Sequence, residues 1–183
     1  MTEQQPYRVL RSCPEFELRE YPAHLVAEVT VEAGFEDARN RAFNTLLQYI
    51  SGANRAHAKM AMTAPVVQSQ RLAMTAPVIQ TPAQGNGYTV AFVLPASVAA
   101  DQAPIPTNPN VTVRQVPPCL VAAVRYSGRW SQSSYDSQVK GLLNAIRDAG
   151  LTATSLPRFA RFDPPFKPWF MRRNEVLVDV QAQ

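Results

Sequence analysis

Few side chains in this sequence could do chemistry, and their spacing rules out more than it invites. Only two histidines occur, His24 and His57, and the two cysteines, Cys13 and Cys119, lie in different halves of the chain. A structural zinc ion asks for four nitrogen or sulfur donors at short paired spacings, which this set does not provide. Nucleophilic catalysis fares no better: a G-x-S-x-G elbow, a Cys–His pairing signal and a Gly-rich phosphate loop are all missing. The chain therefore reads as a binder without catalytic residues, not as an enzyme. Glu175 is the one acid with a second reading. It opens the run EVLVDV, so it is either a solvent-facing rung of a strand or an inward carboxylate that would attract an organic cation.

The elements that must position these residues are organised around KMAMTAPVVQSQRLAMTAPVIQ, from Lys59 to Gln80, in which Ala61 to Val66 recurs as Ala73 to Val78. With Ser69-Gln70-Arg71 as the only polar break, the stretch reads as two strands of a hairpin. Alternation puts Met60, Met62, Ala64 and Val66 on one face, and Leu72, Met74, Ala76 and Val78 on one face of the second strand. Pro65 and Pro77 lack an N–H and belong at an edge, a bulge or a strand end.

Composition bounds the rest. The 183 residues are 46% hydrophobic, enough to bury a sizeable core in a single domain, and 16 Pro against 7 Gly suit short strands on stiff connections. The net charge of +4 is scattered, with Arg172-Arg173 the only basic cluster, so neither nucleic acid nor an anionic membrane is an expected partner. A weakly basic surface does favour a ligand carrying carboxylates. Two cysteines without metal spacing suit reduced thiols, and no apolar run reaches the length of a membrane span, so a soluble cytoplasmic protein is expected.

Taken in order, residues 1–14 are expected to be loosely held, and FELREY and Leu25 to Val31 read as strands. Phe35, Ala38, Ala42, Phe43, Leu46, Leu47 and Ile50 trace one face of a helix, with Glu36 and Asp37 in its first turn and Gly52 at its end. Tyr88 to Leu94 is another strand, and the proline-rich Ala96 to Asn110 a connecting loop. The chain then starts again. Val111 to Val124 set under Phe16 to Val29 matches Arg114 with Arg19, Pro117 with Pro22, Leu120 with Leu25 and Val124 with Val29, all at one offset of 95. A second helix follows, with Tyr135, Val139, Leu142, Leu143 and Ile146 on one face, a capping-box-like Ser133 and Asp136, and Gly150 as its stop. Phe159 to Phe162 and Glu175 to Val180 complete the strands. The expected domain spans 1–183 and contains two pseudo-repeats, about 15–97 and 110–181, each strand–strand–helix–strand–strand.

The pieces FELREYPAHLVAEV, YISGAN, the doubled MTAPV, AFVLP before the proline loop, and FDPPFKPWFMRRNEVLVDV together resemble the SOUL heme-binding protein family over roughly Pro14 to Val180. The resemblance implies an α+β fold in which duplicated units form a twisted eight- or nine-stranded open barrel with two helices packed outside. It implies non-covalent binding of heme or a related tetrapyrrole in an apolar surface groove, largely hydrophobic and not requiring a fixed axial ligand, for buffering, transfer or sensing. By the same resemblance Asn40, Phe43 and Leu47 of the first helix line the groove with Phe162 and Phe166. Asn40 stands where some members carry an arginine able to meet a propionate, which leaves Arg39, Arg41 and Lys59 as the basic candidates. Glu20 fills the position of a member-specific axial histidine. One His, Met or thiolate can hold a heme iron, so His57 is the candidate metal ligand, with Met60 and Met62 beside it. An alternative rests on fold analogy: such barrels also serve as effector-binding modules for amphipathic organic cations, with a cleft acid such as Glu175 or Glu28.

Overall fold

The computed structural model describes residues 3–55 and 69–182. Two helices form where the 3.6-residue period calls for them. In α1 (Phe35–Ser51) the buried positions are Phe35, Ala38, Arg39, Ala42, Leu46, Tyr49 and Ile50, and Glu36 and Asp37 lie in the first turn. Gly52 ends it at φ 122°, a conformation that disfavours any residue with a Cβ. Leu47, on the apolar stripe by its period, is 37% exposed at the edge of that stripe. The second helix, α2 (Gln132–Asp148), buries Tyr135, Leu142 and Ile146 but leaves Leu143 exposed. Its cap is Ser131, whose Oγ accepts from the Ser134 backbone N–H, so the helix starts two residues before the Ser133 that its sequence suggested.

Ten strands make one antiparallel sheet beneath these helices. In chain order they are β1 (Arg8–Ser12), β2 (Glu17–Tyr21), β3 (His24–Val31), β4 (Val78–Pro82), β5 (Tyr88–Val93), β6 (Thr112–Val116), β7 (Cys119–Tyr126), β8 (Leu151–Ala153), β9 (Arg158–Arg161) and β10 (Asn174–Ala182). Nine run in the order β6-β3-β5-β4-β9-β10-β7-β2-β1, with β8 set beside β10. The order is that of a duplicated strand–strand–helix–strand–strand unit whose opening hairpins are exchanged. One antiparallel register runs from Glu28 opposite Thr112, through Tyr21 opposite Cys119, to Glu17 opposite Ala123. It is interrupted only where Pro22-Ala23 and Pro117-Pro118 face each other without a full set of ladder donors. There the ribbon bends and the sheet curls into an open barrel.

Each helix covers its own core. Ala38, Ala42, Leu46, Tyr49 and Ile50 pack on Leu25, Ala27, Val29, Val78, Val90 and Phe92, while Leu142 and Ile146 pack on Ala122, Phe159, Val176 and Val178. Phe35 joins the two. Although it opens α1, it stacks on Tyr135 of α2 at 5.0 Å and on Phe159 of β9 at 5.2 Å between ring centroids. At the β4–β5 turn a Cβ on Gly87 would sit 2.6 Å from the Val31 carbonyl oxygen, so only glycine lets β3 pass there.

Two expectations change. The first MTAPV copy lies outside the described residues, and the second does not read as one continuous strand. Leu72 donates its N–H to the Ile50 carbonyl at 2.7 Å, and the Asn54 side chain bonds both polar backbone groups of Gln70, so the peptide before Thr75 is tied to the end of α1. Thr75-Ala76 then pairs with Glu3-Gln4, and Val78 enters β4. The N-terminal stretch is also not loose throughout: β1 is an edge strand on β2, missed because it is exposed along its whole length and so carries no alternation.

Candidate functional site

The outer face of the sheet carries α1, and the residues expected there separate into distinct environments. Asn40, Phe43 and Leu47 form one stripe: Asn40 and Leu47 are exposed, and Phe43 is half-buried, edge-on to Phe92 at 5.3 Å. Arg41 is exposed and donates to the Glu32 carbonyl at 3.2 Å. Arg39, expected at a wet rim, is 7% exposed instead. Its helix position places it on the inner face, between the Phe43 ring at 4.6 Å and the Trp130 ring at 5.1 Å. His57, Lys59, Met60 and Met62 lie outside the described residues.

Trp130 is the hub of this seam. Its indole N–H donates to the buried Asn174 at 2.8 Å, and Asn174 in turn donates to the Gly128 carbonyl, so the ring is held rigidly. Besides Arg39, the Arg161 guanidinium lies 5.0 Å and that of Arg172 4.3 Å from its centroid. Arg172 also donates to the carbonyls of Lys167 and Pro165, which ties the loop of residues 163–168 to the same ring. That loop and the turn after it present Phe166, 87% exposed, with Trp169, Phe170 and Met171 also open to solvent. Burial, and then the neighbouring Arg172, hold Arg39 below its usual pKa. Burial and the Arg39 charge push Arg161 down to about 9.

Phe162 is not part of this face. Strand alternation sends Phe159 and Arg161 toward the helices, and Ala160 and Phe162 the other way, where Phe162 packs with Tyr21, Val121, Ala123 and Leu177 under the Arg173 guanidinium. The concave side holds a groove of about 490 Å³. Its floor includes Val26, Ile79, Ala91, Val121 and Leu177; its charges are paired, Glu28 with Arg114 at 3.0 Å and Asp179 with Arg158 through two hydrogen bonds. Glu175 does not line it. That carboxylate is fully buried between Arg19, at 2.6 Å, and Arg173, at 2.7 Å, so its charge is already spent on two guanidiniums. The cleft-acid role expected of Glu175 is corrected accordingly, and Glu28 reaches the groove only as half of an ion pair.

His24 lies in this groove, its Nδ1 2.9 Å from the Pro22 carbonyl oxygen. Burial holds its pKa below the usual 6.5, with Arg158 and Arg114 adding to the effect and the Pro22 bond and Asp179 opposing it. The folded state therefore binds fewer protons than the unfolded chain near pH 6. The stability from the neutral ring is fully present above about pH 6.5 and falls as pH drops through that value. Urea denaturation between pH 5 and 7.5 should show this slope, and His24→Gln should flatten it; an unchanged slope would mean that other groups set it.

The fold and its outer face thus define an α+β open barrel with an apolar, arginine-edged surface beside α1. The chain belongs to the SOUL heme-binding protein family, whose model matches residues 2–179. It is 28% identical over 166 residues to heme-binding protein 1 of Xenopus tropicalis, covering 88% of this chain and 81% of the relative. It is 24% identical over 173 residues to heme-binding protein 2 of Mus musculus, covering 90% and 81%. Among solved structures, the EcmrR C-terminal domain superposes with a TM-score of 0.66 at 14% identity over 97% of this chain and 99% of that one. A hydrolase from Listeria innocua superposes at 0.55 and 10% identity, covering 91% of each chain. Likeness at those identities concerns the fold alone. No helix among the described residues is long and apolar enough to cross a membrane.

Proposed function

We propose that this protein binds heme or a related tetrapyrrole non-covalently on the outer face of α1, as a carrier, buffer or sensor and not as an enzyme. The supporting observation is the juxtaposition of an apolar stripe, half-buried Phe43 and exposed Leu47, with a seam of arginines and the open aromatic side chains of Phe166, Trp169 and Phe170. A flat apolar macrocycle bearing two carboxylates asks for that combination: ring contacts on one side, guanidiniums at its edge. The names of the two relatives point the same way. Heme would be held by Phe43, Leu47 and the arginines. His24, the one histidine among the described residues, lies on the other face of the sheet, so the ring contacts carry the reading without it. The free thiols Cys13 and Cys119 suit a reducing compartment such as the cytoplasm. The organic-cation reading loses its acid, since Glu175 and Glu28 are both paired to arginine.

Titration of hemin into the purified protein, followed by the Soret band, should saturate at micromolar protein, where a site of about 8 kcal/mol fills. Leu47→Asp should weaken binding more than about tenfold, since it sets a charge against the ring. Leu47 is already exposed, so the variant should fold normally. Absence of a saturable shift, or equal affinity in the folded variant, would remove α1 from the site.

A further inference from the structure

We propose that Arg39, Arg161 and Arg172, gathered around the Trp130 ring, form a built oxyanion site that takes one carboxylate or phosphate group. Arg161 is 3% exposed and Arg39 is 7% exposed. Six buried side-chain N or O atoms lack a hydrogen-bond partner among the described residues; Arg39 Nε, Arg161 Nε and Arg161 Nη2 are three of them, so the unmet donors concentrate in this seam. The Tyr126 hydroxyl, close enough to feel the Arg161 charge, is a fourth.

The other buried arginine among the described residues, Arg19, has met its acid, pairing with Glu175 and Glu17, and the half-buried Arg158 and Arg173 pair with Asp179 and Glu175. Arg39 and Arg161 make no ion pair among the described residues, and residues 56–68 contribute no Asp or Glu. Glu36, in the first turn of α1, adds a weak favourable charge at Arg161 without pairing with it. At neutral pH both arginines keep their protons, so two desolvated cations beside one another favour an anion from outside the chain. The ring supplies only part of the missing solvation, through its face. The fixed indole and the planar forks preset donor directions that suit a planar carboxylate or a phosphate face.

Two sources share this chemistry, a tetrapyrrole propionate and a free small oxyanion. Only the first rests on the heme reading. The seam adjoins Phe43, which makes the propionate arm geometrically direct.

The test begins without heme. Inorganic phosphate, compared with chloride at equal ionic strength, should raise the melting temperature of the wild type with saturation in the millimolar range, because a ligand bound only by the folded state stabilises it. Arg161→Met should abolish this response and melt no lower than the wild type in chloride, since it removes an uncompensated charge. Arg39→Met serves as the second variant, and the Arg Nε–H resonances of the wild type should shift with phosphate. A wild type indifferent to phosphate in both melting and resonance, or an Arg161→Met protein that keeps the full response, overturns the site.

The second arm compares hemin with its dimethyl ester. Wild type preferring hemin by tenfold or more, with that preference lost in Arg161→Met, assigns the site to a propionate. A phosphate response without any preference assigns it to a free oxyanion, whether or not hemin binds.

Discussion

Glu175→Gln is expected to destabilise the fold by about 3 kcal/mol, the lower end of the roughly 3–5 kcal/mol found when one partner of a buried ion pair is removed. The carboxylate is wholly buried, and four N–H groups from Arg19 and Arg173 converge on its two oxygens. Without its charge, Arg19 keeps Glu17, whose side chain is partly open to water, and the Tyr7 face at 4.3 Å. Arg173 is nearer the surface and also has Tyr7 and Gln4, so it adjusts more easily. The loss therefore falls mainly on Arg19, which is why the lower end of the range applies. A combined Arg19→Met and Glu175→Leu change removes both charges together and should recover most of the stability, because apolar replacement of a buried pair is often neutral. Urea denaturation of the three proteins measures this. A single variant within about 0.5 kcal/mol of the wild type would show that water reaches Arg19.

Phe35→Ala is expected to cost about 3–5 kcal/mol, the range for truncating a buried aromatic. At this chain length that corresponds to a fall of order 10 °C in melting temperature. The ring does more than fill space. It is 5% exposed, stacks on Tyr135 and Phe159, and meets Tyr88 edge-on at 5.9 Å, so it links α1 to α2 and both to the sheet. Its own backbone carbonyl accepts the Gln80 side-chain amide at 2.8 Å, a bond the substitution leaves in place. The loss should appear as one cooperative transition at a lower denaturant midpoint. Two separated transitions would instead mean that the ring is what couples the two halves, and a change under about 1 kcal/mol would mean that the three remaining rings repack around the gap.

Both variants probe features of unequal visibility in the sequence. The helices were legible because each has enough turns for the 3.6-residue period to show, and the duplication was legible because equivalent residues recur at a fixed offset. The offset also showed Pro22 and Pro117 as equivalent positions, but not that the two opening hairpins pair with each other instead of within their own halves, which is decided by how two curled units share a common sheet. Strand β1 escaped notice since an edge strand exposed along its length owes its form to backbone pairing, which leaves no mark on side-chain order, and β8 because three residues are too few for alternation to show.

At the site, the helical period put Phe43 and Leu47 on one stripe of α1, whereas Asn40 and Phe162 entered only through the family resemblance; the parity that sets Phe162 apart from Phe159 and Arg161 already placed it on the other face of the sheet. Arg39 carried a signal as well, being a charge on the apolar side of its helix. What no local pattern contained was the company these side chains keep. Glu175 has Arg19 as partner 156 positions away, and Arg39 and Arg161 converge on Trp130 with no acid among them. Periodicity determines which face a side chain takes, because it is a property of one element. Whether a buried charge meets its opposite depends on which elements come together, and only the assembled sheet decided that.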